Sequence, residues 1–249
     1  MRRVLYWWLP LAATLTAAIA FAAGFYAFAS GDTGRPVELA SAAPASAPQT
    51  PTARISPLIL GDSLARGAGD QSGLGIGGRL DEELRRRKVE AEETVNIAVN
   101  GARTADLLRQ LESANVRRLI SEANTIIISI GGNDLWGGTD WQSAPPQDPA
   151  AVMDEVLGRV ARAIEIVRQA NPTARIFLIG LYNPFRLPQL TPLVSQWNAR
   201  VIERFSQDPN VTVVQTADLF SHRDRLALDR FHPGGEGYEL IARRIADAL

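Results

Sequence analysis

The sequence predicts an α/β domain built on a five-stranded parallel sheet covered by helices on both faces. From Arg54 onward, short apolar runs alternate with amphipathic stretches. The runs are almost continuously apolar, as strands buried on both faces require, and do not alternate apolar with polar. Most of them also stop at glycine beside a small polar residue, a composition suited to the carboxyl edge of a parallel sheet, where ligands bind.

The strands are expected at Ile55–Gly61, Thr94–Val99, Thr125–Ile130, Arg175–Ile179 and Val211–Gln215. Helices are expected at Gly78–Lys88, at Thr104–Leu111 with a continuation through Ala114–Ser121, and at Pro149–Ala170, Thr191–Ser206 and Gly235–Leu249. The helix at Pro149 has the fullest set of signals. Asp148 suits its N-cap and Pro149 its first position, while Met153, Val156, Leu157, Val160, Ile164 and Val167 keep one face apolar. Asn171-Pro172 then ends it. Trp197 falls at helical spacing with Val194, Val201 and Phe205, and is expected in the core. Gly73-x-Gly75-x-x-Gly78 has the pattern of a dinucleotide fingerprint but not its context. It lies well past strand one, and strand two ends in Val99-Asn100 with no acid for a ribose. These glycines read as a mobile loop, and the run Arg85 to Lys88 as a solvated helix end.

Upstream, Arg2 and Arg3 precede an apolar run from Val4 to Ala29. A bilayer span needs about 20 residues, so residues 1–29 read as an N-terminal transmembrane signal anchor. The alternative is a signal peptide cleaved near Ala29, because Ala27-Phe28-Ala29 has the small-x-small form of a cleavage site. In both readings the basic residues place the N-terminus inside and the bulk of the chain outside: an anchor makes the inner, cytoplasmic membrane a partner through this segment, whereas cleavage leaves the chain secreted or periplasmic. Residues 30–53, rich in Ala, Pro and Ser, read as a disordered linker, which leaves residues 54–249 as one folded domain.

Composition narrows the chemistry. A formal net charge of −1 gives no basic footprint for nucleic acid. The absence of cysteine excludes thiolate catalysis and cysteine-based metal sites. The only histidines are His222 and His232, so a general base near neutrality comes from that pair or from a perturbed carboxylate.

Strand one delivers Gly61-Asp62-Ser63 to the carboxyl rim, and a serine there is a candidate nucleophile. Asn100-Gly101, Gly131-Gly132-Asn133-Asp134 and Gly180-Leu181-Tyr182-Asn183-Pro184 follow the next three strands. Late in the chain, Asp229-x-x-His232 places an acid where it can accept the imidazole Nδ1–H, leaving Nε2 as a base for Ser63. His222 has no acid three residues before it and reads as a surface residue. Attack on an ester would create an oxyanion, with the backbone N–H groups of Ser63 and Gly101 and the Asn133 side chain as candidate donors. Trp136, Trp141, Tyr182 and Phe185 lie in loops at this rim, where they would line a substrate pocket or cover the core edge. Asp62 and Asp134 read as turn caps.

Gly61-Asp62-Ser63-Leu64, Gly101, Gly131-Gly132-Asn133-Asp134 and Asp229-x-x-His232 together resemble, in order, the four blocks of the GDSL or SGNH hydrolase family. Lysophospholipase L1-type bacterial esterases are the branch most resembled. Ala65 departs from the hydroxyl residue many relatives carry. The resemblance implies a flavodoxin-like three-layer α/β/α fold, no metal and no cofactor, and Ser63, Gly101, Asn133 and His232 as the residues that name the family. It implies a serine ester hydrolase working through an acyl-enzyme on small-molecule, lipid or sugar esters. A carbohydrate or peptidoglycan O-acetylesterase is one alternative, and a non-catalytic ligand-binding module on the same fold is another.

Overall fold

The five parallel strands are β1 (Pro57–Gly61), β2 (Val95–Asn96), β3 (Thr125–Ser129), β4 (Arg175–Ile179) and β5 (Val211–Val214). They lie in the order β2-β1-β3-β4-β5, with every pairing parallel. The helices are α1 (Ser63–Arg66), α2 (Gly75–Arg86), α3 (Thr104–Leu111), α4 (Ala114–Glu122), α5 (Gly132–Leu135), α6 (Pro149–Ala170), α7 (Thr191–Phe205) and α8 (Gly235–Asp247). This computed structural model describes residues 54–135, 148–221 and 223–249, with Thr14, Thr16, Ala17 and residues 19–23.

The period of two along a strand divides the core into two layers. Leu58, Leu60, Ile126, Ile128, Ile176 and Leu178 face one side and pack with residues of α3, α4, α6 and α7. Ile59, Ile127, Phe177 and Ile179 face the other, against Leu80 and Leu84 of α2 and Tyr238, Ile241 and Ile245 of α8. Burial of each such Leu or Ile contributes about 1.5–3 kcal/mol, which is why these strands carry almost no polar residue. The three-layer α/β/α arrangement is as expected. Its strand order places the topological switch between β1 and β3, so the crevice lies where Ser63 and Asn133 leave the sheet.

Three expectations need correction. The second strand pairs only over Val95–Asn96, although the N–H groups of Ile97 and Val99 still donate to the carbonyls of Ile59 and Gly61. The Asn96 side chain accepts from the Ala98 N–H and donates to the Ala65 carbonyl, drawing this sheet edge toward α1. Gly75 is not in a loop but begins α2, which starts three residues before the Gly78 expected from sequence. A Cβ on Gly67 would stand 2.8 Å from the Gly75 Cα, so the two backbones need glycine to pack this closely. Nor is the Arg85–Lys88 run merely solvated. Arg86 and Arg87 both pair with Glu83, and Arg87 also reaches the Ala246 carbonyl (3.0 Å) and Asp247 (2.5 Å), clasping α2 to the end of α8.

The chain divides into two units, Met1–Thr50 and Pro51–Leu249. In the first, Thr14, Thr16, Ala17 and residues 19–23 are helical and exposed. Most of the expected anchor and all of the 30–53 linker lie outside the described residues; among the described residues, no helix is long and apolar enough to cross a membrane.

Candidate active site

The site is assembled from β1 outward. Gly61 has φ +129°, and a Cβ there would stand 1.9 Å from the Ser129 carbonyl oxygen. Only glycine lets the chain leave β1 this close to β3, where the Asp62 N–H donates to that same oxygen at 3.0 Å. Asp62 is the N-cap of α1: its carboxylate accepts from the Leu64 N–H (3.1 Å) and from the Ser129 hydroxyl (3.2 Å). Burial pushes the Asp62 carboxyl up to about 7, against the hydrogen bonds that favour its charged form. Ser63 follows as the first residue of the helix.

His232 comes from the loop between β5 and α8. Its Nε2 lies 2.8 Å from Ser63 Oγ, and its Nδ1 lies 2.6 Å from Asp229 Oδ2. The other Asp229 oxygen accepts from the N–H groups of Phe231 (2.9 Å) and His232 (3.0 Å). Partial burial disfavours charge on Asp229, but these bonds and the imidazole outweigh it and hold the carboxyl below the usual range. An ionised Asp229 is acceptor only, so Nδ1 is the donor and the neutral imidazole accepts from Ser63 through Nε2.

Three contacts fix this loop. The Tyr182 hydroxyl donates to the Phe231 carbonyl at 2.7 Å, and the Ala227 N–H donates to the His232 carbonyl at 2.8 Å. Gly69, at φ +92°, provides the third: a Cβ there would meet the His232 Cβ at 2.8 Å, the Pro233 carbonyl oxygen at 2.8 Å and the Ala227 Cβ at 2.9 Å.

Asn133 sits in the first turn of α5, and its amide donates to the Ala102 carbonyl at 2.9 Å. Asp134 accepts from the Thr104 N–H (2.9 Å) and hydroxyl (2.6 Å), tying α5 to the start of α3. Ser63, Asn133 and His232 open onto one cleft of about 50 Å³, walled by Asp62, Leu64, Ser129, Gly132, Leu181, Tyr182, Pro184 and Phe231. Gly101 is exposed at φ +75° and is not among the residues lining this cleft. Among the described residues no cluster of His, Asp and Glu could hold a metal ion.

A family model described as GDSL-like lipase/acylhydrolase matches residues 59–240. The chain belongs to that family. It is a serine hydrolase of carboxylic esters, as family membership implies. Among its relatives, the uncharacterised protein YpmR of Bacillus subtilis is 31% identical over 76% of this chain and 79% of its own length. The spore germination lipase LipC of Bacillus licheniformis is 26% identical over 76% of this chain and 93% of its own. Among solved structures, the lipase Lip_vut3 from a goat rumen metagenome superposes with a TM-score of 0.67 at 22% identity, covering 78% of this GDSL-family chain and 97% of that one.

Of the pocket aromatics expected from sequence, Trp136 and Trp141 lie outside the described residues, as does His222. Tyr182 does both things expected of such residues: it walls the cleft, and its ring packs 4.1 Å from that of Phe220 at the core edge. Phe185 is not among the residues walling the cleft, but its ring lies 5.6 Å from that of Phe231, which meets the His232 imidazole edge-on at 4.8 Å. Sequence reasoning missed Phe231, Leu181 and Gly69. The position of Phe231 inside Asp229-x-x-His232 was an available signal; nothing in the local sequence marks Gly69 as a neighbour of a histidine so far along the chain.

Proposed function

We propose that Ser63, His232 and Asp229 act as a catalytic triad and that the ester is cleaved through an acyl-enzyme. The continuous 2.6 and 2.8 Å relay from carboxylate through imidazole to hydroxyl supports this reading. His232 Nε2 takes the proton of Ser63 as Oγ attacks the ester carbonyl, and Asp229 stabilises the imidazolium. The Ser63 backbone N–H and the Asn133 amide, both at the cleft, receive the oxyanion, and Gly101, which does not line the cleft, is the third candidate donor. One Asn133 N–H is used by the Ala102 carbonyl, and no other acceptor among the described residues takes the second, which is left for that purpose. The imidazolium then protonates the departing alcohol, and a water activated by His232 releases the acid. Asp62, capping α1, positions Ser63 without touching the reacting atoms.

O-acetyl esters of carbohydrates are a second substrate reading beside lipid esters, supported by the likeness in fold to the acetyl-xylooligosaccharide esterase Axe2 (TM-score 0.57, 21% identity). The extracytoplasmic setting belongs to the same proposal: the apolar run Val4–Ala29 behind Arg2 and Arg3 supports export, with residues 30–53 as a tether to a catalytic domain over 54–249. A panel of p-nitrophenyl esters of increasing chain length tests the substrate reading. Turnover falling steeply beyond acetyl supports the carbohydrate reading. A maximum at eight carbons or more would contradict it in favour of lipid substrates.

A further inference from the structure

Among the described residues, three other than glycine have positive φ: Lys88, Arg186 and Arg230. Lys88 lies just beyond the end of α2, where a left-handed residue commonly closes a helix. The two arginines lie in loops instead. Arg186 (φ +53°) lies in the loop after β4, two residues past Pro184, and Arg230 (φ +56°) lies between Asp229 and Phe231. Pro184 and Phe231 both wall the cleft, and the Phe185–Phe231 ring contact joins the two loops. Turns impose the conformation. The Arg186 N–H donates to the Asn183 carbonyl, the Arg230 N–H donates to the Ala227 carbonyl, and Asp229 gathers the two N–H groups that follow Arg230. Glycine would adopt it without strain, whereas a side chain here is strained and a long cationic one has no local benefit to offset that. Both arginines are exposed, and neither guanidinium has a hydrogen bond or ion pair with the described residues. Outliers of this kind collect at ligand sites.

We propose that Arg186 and Arg230 form an anion-recognition pair at the mouth of the cleft, selecting esters whose alcohol part carries a phosphate or carboxylate. The inference rests on the ester hydrolase reading and deepens it. An ester held with its carbonyl at Ser63 and its alcohol part lying past Pro184 and Phe231 would bring an anionic group on that alcohol to these two loops. Guanidinium groups suit both anions, through paired charge-assisted N–H donors.

Three acetyl esters on a three-carbon skeleton, those of glycerol 3-phosphate, glyceric acid and glycerol, separate the possibilities when assayed with the full-length protein. The expected result is a kcat/KM for one or both anionic esters above that for the neutral ester, carried mainly by KM and reduced by added salt. The phosphate and carboxylate arms show which anion is preferred. In Arg230→Gly and Arg186→Gly the anionic-to-neutral ratio of kcat/KM is expected to fall about tenfold each, the scale of one hydrogen bond to a charged group. Arg230→Lys should keep part of the ratio. Glycine relieves the backbone strain, so both variants should fold, and general loop damage would lower all three substrates together and leave the ratio intact. Equal kcat/KM for the three esters, or a ratio unchanged in both glycine variants, would overturn the proposal. Loss of neutral-ester turnover in Ser63→Ala bears on the hydrolase reading alone, so the two can fail separately.

Discussion

Gly69→Ala is a mutation remote in sequence from Asp229-x-x-His232 that should nonetheless disable it. The added methyl would lie 2.8 Å from the His232 Cβ and the Pro233 carbonyl, and 2.9 Å from the Ala227 Cβ. Ordinary contact begins near 3.4 Å, so the loop must retreat by about 0.6 Å, the difference between that separation and 2.8 Å. The 2.8 Å Ser63–His232 bond has no slack for such a shift. A misplacement on the order of 1 Å can cost about 10²-fold in rate, so a loss of about 10- to 100-fold in kcat is expected. The φ of +92° adds a strain of about 1–2 kcal/mol in stability. Gly73→Ala separates the two effects, because Gly73 also has positive φ (+73°) but a Cβ there would have no neighbour within 4 Å. Steady-state turnover of p-nitrophenyl acetate and thermal melts on both variants provide the assay. Gly73→Ala should lose stability and keep kcat, whereas Gly69→Ala should lose both. A Gly69→Ala enzyme with wild-type kcat would refute the claim that this contact sets the histidine.

Two further outcomes are expected. Tyr182→Phe removes the donor to the Phe231 carbonyl, and should cost about 1 kcal/mol in denaturant-determined stability and several-fold in kcat; unchanged kcat would assign the tyrosine to packing alone. Asp62 binds its proton more tightly folded, at about 7, than unfolded, near 3.8, so its contribution to stability declines as pH rises between those values. Asp62→Asn removes that slope, and the variant should gain on the wild type by up to about 1.4 kcal/mol per pH unit across the window. Parallel stability–pH curves for the two proteins would contradict the buried-carboxyl account.

Strand positions were legible because burial on both faces forces apolar runs, and Arg175–Ile179 and Pro149–Ala170 begin and end as the residues indicate. The α2 start was not, since Gly75 looks like a loop residue unless the nearby Gly67 backbone is known. The four-residue helices α1 and α5 are too short to show a period. For the candidate site, scarcity did the most: two histidines, one with an acid three residues before it, singled out His232, and the structure sets it beside Ser63. The cleft walls were harder to foresee. Leu181 and Phe231 come to one cleft only through the packing of two loops distant in sequence, and Gly69 matters for the space it leaves empty.

The central claim is that Ser63 is a nucleophile activated by His232. Labelling with a fluorophosphonate and mapping the adduct by peptide mass spectrometry tests it most directly. The expected result is a single adduct on the peptide containing Ser63, absent in Ser63→Ala and slowed by at least about 10³-fold in His232→Ala, as for a triad that acts as a unit. An adduct on another residue, or undiminished labelling of the His232→Ala protein, would contradict it.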